Sequence, residues 1–189
     1  SASLSRNYRY PTLNDRYWVP GGNAALRPEK SLSGEFSILR WQPLDPQGIL
    51  EYSLGCYWNE VDDWILWLPG SSNIWSPENV QHVQARGIEA NFHWKDHFQN
   101  IFPWMYHDIS LHYNFNDSRN QDGDQLIYTP QHNATFRLNL QWARWGLHYI
   151  QDWNSRRYTT ADNSEFISGF STADFSLGCR LGKAILNPG

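Results

Sequence analysis

The stretch Gly87-Ile88-Glu89-Ala90-Asn91-Phe92-His93-Trp94 alternates, residue by residue, between polar or small side chains and apolar ones. The same alternation returns in Asp108-Ile109-Ser110-Leu111-His112-Tyr113-Asn114-Phe115 and in Asn133-Ala134-Thr135-Phe136-Arg137-Leu138-Asn139-Leu140-Gln141-Trp142. A period of two is that of a β-strand, and so regular a pattern means that each strand separates two unlike environments. The apolar set is long and rich in aromatics, whereas the polar set carries charge. A soluble sheet needs a compact aliphatic core behind its polar face. A transmembrane barrel needs the reverse, with apolar residues toward lipid and polar ones toward a wet lumen.

Composition agrees. The chain has 189 residues, 16% of them aromatic, including 11 Trp and 10 Tyr. That is more ring surface than a small soluble core uses, yet the mean hydropathy is -0.65. No run of about 18 apolar residues occurs, so no membrane helix is expected. Outer-membrane strands reconcile these facts, because only alternate residues need be apolar and the interfacial girdles are Trp and Tyr. The net charge of -4 and the lack of a basic stripe argue against nucleic acid. Cys56 and Cys179 both fall on apolar registers of strands far apart in sequence and are read as small hydrophobes rather than a disulfide. The opening Ser1-Ala2-Ser3-Leu4-Ser5-Arg6 has no apolar signal core, which suggests a mature form or an internal fragment.

The alternation predicts about eight strands, near 1–8, 31–40, 49–60, 82–95, 107–116, 132–142, 145–153 and 169–181. Long connections at 9–30, 61–81, 117–131 and 154–168 alternate with shorter ones at 41–48, 96–106 and 143–144. Short periplasmic turns and long extracellular loops are the barrel pattern. No composition break or repeat divides 1–189.

Particular motifs add a resemblance to TonB-dependent outer-membrane receptors. Tyr8-Arg9-Tyr10-Pro11-Thr12-Leu13-Asn14-Asp15-Arg16-Tyr17-Trp18 resembles their R-x-P-x-L-x-D/E-L-Y segment. Gly22-Asn23-Ala24-Ala25-Leu26-Arg27-Pro28-Glu29-Lys30-Ser31 is similar to their G-N-P-x-L-x-P-E-x-S segment. Val61-Asp62-Asp63-Trp64-Ile65 resembles the I-x-D-L-I stretch where a strand leaves the membrane. Asn79-Val80 with Ala85-Arg86-Gly87-Ile88-Glu89 resembles an N-x-x-x-A-x-x-x-G-V-E strand. Tyr128-Thr129-Pro130-Gln131-His132 matches a P-x-x-P-x-H entry and Arg157-Tyr158 an R-Y loop start.

The resemblance implies a late, C-terminal portion of a large barrel, in the bacterial outer membrane, with the plug, TonB box and final strands not included. Asn187-Pro188-Gly189 is unlike the aromatic end of a last strand. It further implies uptake of a scarce nutrient, an iron chelate or cobalamin. Lipid, that small-molecule ligand and the inner-membrane TonB complex, reached through the plug, are the expected partners.

A few side chains invite a chemical reading. Tyr17, Trp18, Trp67 and Trp75 fall in expected extracellular loops and are the ligand-stacking candidates, although a girdle or loop-packing role fits them too. Pro28-Glu29-Lys30 reads as a strand entry. Gly87 reads as a site of close approach by another backbone or a plug, with Glu89 toward the lumen. His93 and His97 span a strand end, and His107 and His112 lie on opposite faces, so neither pair makes a metal site. Asp117, Asp122 and Asp124 crowd a loop without Ca²⁺-loop spacing. No catalytic constellation, metal site or cofactor is expected, and the reading is not an enzyme.

The fold expected is all-β, an antiparallel transmembrane β-barrel, about eight strands of a larger barrel. Two alternatives remain. One is a small closed outer-membrane barrel with a structural or adhesion role, disfavoured by the small inward residues Ser53, Gly55, Gly87, Ser110, Ser176 and Gly178. The other is a soluble Trp-rich carbohydrate-binding β-sandwich, disfavoured by aromatics at strand ends (Trp41, Trp58, Trp94, Trp142, Trp145).

Overall fold

A computed structural model describes residues 1–44, 48–70, 74–97 and 105–181, without the side chains of 80, 81 and 97. The elements are β1 (Ala2–Arg9), α1 (Leu13–Tyr17), β2 (Glu29–Leu44), β3 (Gly48–Pro69), β4 (Trp75–His97) and β5 (Met105–Asn120). They continue with β6 (His132–Trp142), β7 (Trp145–Asn154), β8 (Arg157–Tyr158), β9 (Phe166–Ile167) and β10 (Phe170–Cys179). Among the described residues eight strands form one antiparallel meander in the order β1-β2-β3-β4-β5-β6-β7-β10, and β8 pairs with β9. Among the described residues no ladder joins β1 to β10, which stand at opposite edges. One continuous sheet is not the pair of packed sheets that a sandwich requires.

Register turns the sequence alternation into two faces. Phe36, Cys56, Ile88 and Phe115 are cross-strand partners in one row, and Leu138, Tyr149 and Phe175 in another. The opposite face carries the row Asn91, His112, Thr135 and Asp152. Exposure is inverted relative to a soluble protein. Leu54 is 57% exposed and Leu177 55%. The polar face instead carries cross-strand hydrogen bonds. Asn91 Nδ2 donates to Ser53 Oγ at 3.1 Å, His112 Nδ1 lies 2.6 Å from Asn91 Oδ1, and the Thr135 hydroxyl donates to Asp152 Oδ1 at 2.5 Å. His93 Nε2 sits 3.0 Å from Asp108 Oδ1. Apolar outward and hydrogen-bonded inward is the arrangement a lipid-facing barrel wall needs.

The apolar band has definite limits. On β3 the outward register is apolar from Leu50 to Trp58, then turns to Glu60 and Asp62. On β4 it runs from Trp94 up to Ile88, then turns to Arg86. The eight steps from Leu50 to Trp58 span about 27 Å along the strand, which a tilt of about 35–45° reduces to roughly 19–22 Å of height, most of the ~25 Å apolar band of such walls.

Strand positions agree with the sequence reading inside this band and depart from it above. Residues 61–81 are not mainly a loop. β3 runs to Pro69 and β4 starts at Trp75, giving strands of 22 and 23 residues, where a membrane needs about 9–11. Beyond the last pairings with β2 and β5 the hairpin rises as a two-stranded ribbon, Trp64–Pro69 against Trp75–Val80. The expected loop 9–30 carries α1, β5 extends to Asn120, and 154–168 holds the β8–β9 hairpin. The turn at Ala143-Arg144 is as short as expected, with Ala143 at φ 51°. The ends of the expected turns at 41–48 and 96–106 are described, but 45–47, 98–104 and 187–189 lie outside the described residues.

Both cysteines are free. Gly87 admits the close approach of another backbone, as its place in the strand implies. A Cβ there would lie 2.5 Å from the Tyr57 ring and 2.3 Å from the Phe115 carbonyl oxygen.

Candidate functional site

The buried hydrophobic residues among those described, Leu26, Val61, Ile65 and Val83, do not lie in the lipid band. They belong to an assembly at the long-loop end, where segment 10–28 folds over the inner face of the β3–β4 ribbon. Local sequence builds this segment. Thr12 caps α1 by accepting from Asp15 N at 3.1 Å, and Asp15 Oδ2 returns the bond from Thr12 N at 2.9 Å and its hydroxyl at 2.8 Å. That reciprocal pair is a capping box. Asp15 Oδ1 then accepts from Trp67 Nε1 at 3.0 Å. Burial pushes the Asp15 carboxyl up, but the Thr12 and Trp67 hydrogen bonds and the Arg9 charge outweigh it and hold it below the usual range.

Further fasteners complete the docking. Glu29, 9% exposed, accepts from Nε and one terminal nitrogen of the Arg9 guanidinium and from the Ile65 amide at 2.8 Å. Glu29 raises the Arg9 pKa further, chiefly through that hydrogen bond. Asn23 Nδ2 donates to Pro77 O at 3.1 Å. Asn79 accepts from Arg27 N at 2.9 Å and donates to Arg27 O at 3.1 Å and Asp63 O at 2.6 Å. Asp63 is left-handed at φ 59° and its carboxylate meets Arg27 at 2.6 Å. Gly21 packs so closely that a Cβ would sit 2.0 Å from Trp75 O, which only glycine allows.

The opposite face of the same ribbon is also covered. Leu66 and Leu68 line a small apolar cleft with Leu126, Ile127 and Ala161. Asn163 ties these two loops together, accepting from Gln125 N at 2.8 Å and donating to Gln125 O at 2.9 Å. The acidic loop is not free to take a cation through Asp117, which holds Arg86 at 3.1 Å and Arg119 at 2.8 Å. Among the described residues no group of three or more His, Cys, Asp or Glu is placed to hold a metal.

The structure gathers the four aromatic candidates into this one assembly. Tyr17 (62% exposed) and Trp18 (56%) end α1, and Trp75 (45%) opens β4 beside Gly21. Trp67 differs, being half-buried with its N–H committed to Asp15. Below them the inner wall forms a cleft of about 610 Å³ lined with Asn7, Arg9, Glu29, Ser31, Ser33 and Asn59 among others. Sequence reasoning missed Asp15, Asn23 and Asn79 as the fasteners, and took Glu29 only for a strand entry. The Thr12-x-x-Asp15 spacing was the available signal for the first.

A lipid-facing antiparallel wall with a polar inner face and loops braced at one end defines the class, a transmembrane β-barrel of the bacterial outer membrane. The family model described as "TonB dependent receptor-like, beta-barrel" matches residues 1–186. The chain therefore belongs to the TonB-dependent receptor β-barrel family. It is 28% identical over 183 residues to a vitamin B12 transporter BtuB of Photobacterium profundum, covering 93% of this chain and 28% of that protein. Over 89 residues it is 36% identical to a vitamin B12 transporter BtuB of Vibrio vulnificus, covering 47% of this chain and 14% of that protein. The solved structure of a copper transporter, OprC, superposes with a TM-score of 0.72 at 17% identity, over 96% of this chain and 29% of that one. The chain thus spans under a third of the length of these relatives. Members of this family are receptors and transporters rather than enzymes.

Proposed function

We propose that this chain is a wall segment of an importer that captures a scarce nutrient outside the cell, with a corrinoid of the cobalamin type the first candidate and an iron chelate the second. The carrying observation is the braced aromatic ledge of Tyr17, Trp18 and Trp75 above a polar inner wall. Flat exposed rings held by a rigid support can stack on a large planar ligand with little ordering cost. Two relatives named as vitamin B12 transporters support the corrinoid. In this reading a plug, outside these residues, sits against the polar face, and the inner-membrane TonB complex acts through it. The chain supplies a late portion of the barrel, and further strands close it.

The test uses the full-length receptor in cells lacking their own cobalamin importer. Uptake of labelled cyanocobalamin should appear and should stop when the inner-membrane proton gradient is collapsed. Trp18→Ala and Trp75→Ala should each weaken cyanocobalamin binding, since one aromatic stack is worth about 0.5–1.5 kcal/mol. Uptake of a ferric chelate instead would move the cargo to the second class. Uptake of neither, or uptake indifferent to the gradient, would refute the proposal.

A further inference from the structure

At the short-turn end the inward face of β2 and β3 changes character. Inward positions on β2 pass from Ser33, Glu35 and Ser37 to Leu39, Trp41 and Pro43, and β3 adds Ile49 opposite Pro43. Trp41, expected among the strand-end aromatics of a membrane interface, pairs with Glu51 and points inward, while Arg40 pairs with Tyr52 and points outward. Leu39 is 63% exposed and Trp41 55%. Across β4, β5 and β6 the same face stays polar, with Asn91, His93, Ser110, His112 and Arg137 on it.

Lipid does not cover this patch, because lipid lies on the other face, where Ile38 and Leu54 point. A further strand beside β2 would cover its edge and leave the face open, and Ile49 lies on β3, which is paired on both sides. The inward register also turns apolar at the long-loop end, at Ile65 and Trp67, and there protein covers it: segment 10–28 lies over it and Ile65 is only 6% exposed. Leu39 pairs with Ser53, three residues above Leu50, the last apolar residue of the outward band on β3. The patch therefore begins inside the lumen, and its partner has to reach it from within. Glu51, His93 and Lys95 flank it across the strands. An aromatic centre inside a polar rim is the make-up of a protein–protein contact. This chain covers 28% of the length of one relative, which leaves ample polypeptide for a domain that fills the barrel.

We propose that Leu39, Trp41, Pro43 and Ile49 form an apolar seat for that filling domain, placed on one side of the lumen. The seat excludes water at β2–β3, whereas the polar wall from β4 to β6 meets the same domain across hydrated gaps, so β2–β3 is the side that holds it. The inference rests on the reading of a plug against the inner face.

The test uses the full-length receptor with Cys56 and Cys179 changed to Ala and one cysteine added, as Trp41→Cys, Leu39→Cys or Ser110→Cys. Ser110 shares the cross-strand row of Trp41, through Glu51 and His93. Receptor purified and folded into vesicles is labelled with a charged maleimide and, separately, with a lipid-soluble one. At positions 39 and 41 the charged reagent should react at least about tenfold more slowly than at 110, since reaction there waits for a local opening. The lipid-soluble reagent should not reach 39 or 41 until the receptor is denatured. Leu39→Cys decides the matter where Trp41→Cys does not assemble. Equal rates at 41 and 110 would overturn the proposal, as would ready labelling of 41 by the lipid-soluble reagent. Protection present in cells but lost on purification would assign the cover to a separate periplasmic protein and overturn it too. These rates are read without any cargo, so a failure of cyanocobalamin uptake and a failure of the seat are distinguishable.

Discussion

Replacing Trp67 with Phe keeps the ring in place on the β3–β4 ribbon and deletes one donor. Asp15 Oδ1 then loses its 3.0 Å bond, while Oδ2 keeps both bonds from Thr12. Asp15 is only 8% exposed, so water replaces the lost donor poorly. A hydrogen bond to a charged group contributes about 1.5–3 kcal/mol, which raises the open population of segment 10–28 by about 10- to 150-fold. Amide hydrogen exchange in the full-length receptor measures this directly. The reporters are Trp18 N, bonded to Asn14 O, and Asn23 N, bonded to Asp15 O, which should exchange faster by that factor. Amides of the β5–β6 ladder should not change, because the perturbation lies outside the lipid band. Unchanged exchange at Trp18 and Asn23 would refute the claim that this bond fastens the segment. Equal acceleration in β5–β6 would mean that the whole wall had weakened instead.

Other outcomes follow from the same geometry. Phe92→Arg, Leu111→Arg, Leu138→Arg and Leu177→Arg should each destabilise the wall by about 2–4 kcal/mol near mid-depth, read from denaturant titration of receptor folded into vesicles; a neutral effect would place the residue away from lipid. Glu29→Gln removes the charge that holds Arg9 and weakens the acceptor of the Ile65 amide. Because the Arg9 side chain is 55% exposed, we expect about 1–2 kcal/mol rather than the full cost of breaking a buried pair, seen as faster proteolysis within 10–28. The lowered Asp15 pKa fixes the sign of the pH dependence. Its stabilisation is complete above the unfolded carboxylate range near about 3.9 and is lost as pH falls through the lower folded value. Docking of 10–28, followed by Trp18 amide exchange corrected for intrinsic rate, should therefore hold from neutrality to about pH 5; loosening already at pH 6 would contradict it.

The lipid band was legible because lipid and lumen impose opposite demands on successive residues. Ile88, Phe92 and Leu111 stand outward and Asn91 and His112 inward, as their alternation implies. Above the band that rule lapses, since both faces of the ribbon are covered by protein. Ile65 and Trp67 then occupy the inward register and Leu66 and Leu68 the outward one, giving a nearly continuous apolar run that reads as neither lipid-facing strand nor loop. The aromatic candidates were recognisable as rings at the long-loop end, although Trp67 and Trp75 stand on β3 and β4 rather than in a loop. Their support was not, because Asp15–Trp67 and Asn79–Arg27 join positions 52 residues apart and nothing in local sequence marks such partners.

The ribbon braced on both sides constrains how this receptor's descendants can change length. Insertion of a single residue between Val61 and Ile65 would turn Ile65 and Trp67 away from segment 10–28 and present Leu66 to it, because one step inverts every side chain that follows. Insertions near the tip, beyond Pro69 and before Trp75, leave both seams in phase. Inherited length variation should therefore gather at the tip, and lower on the ribbon it should arrive in pairs of residues or together with a bulge.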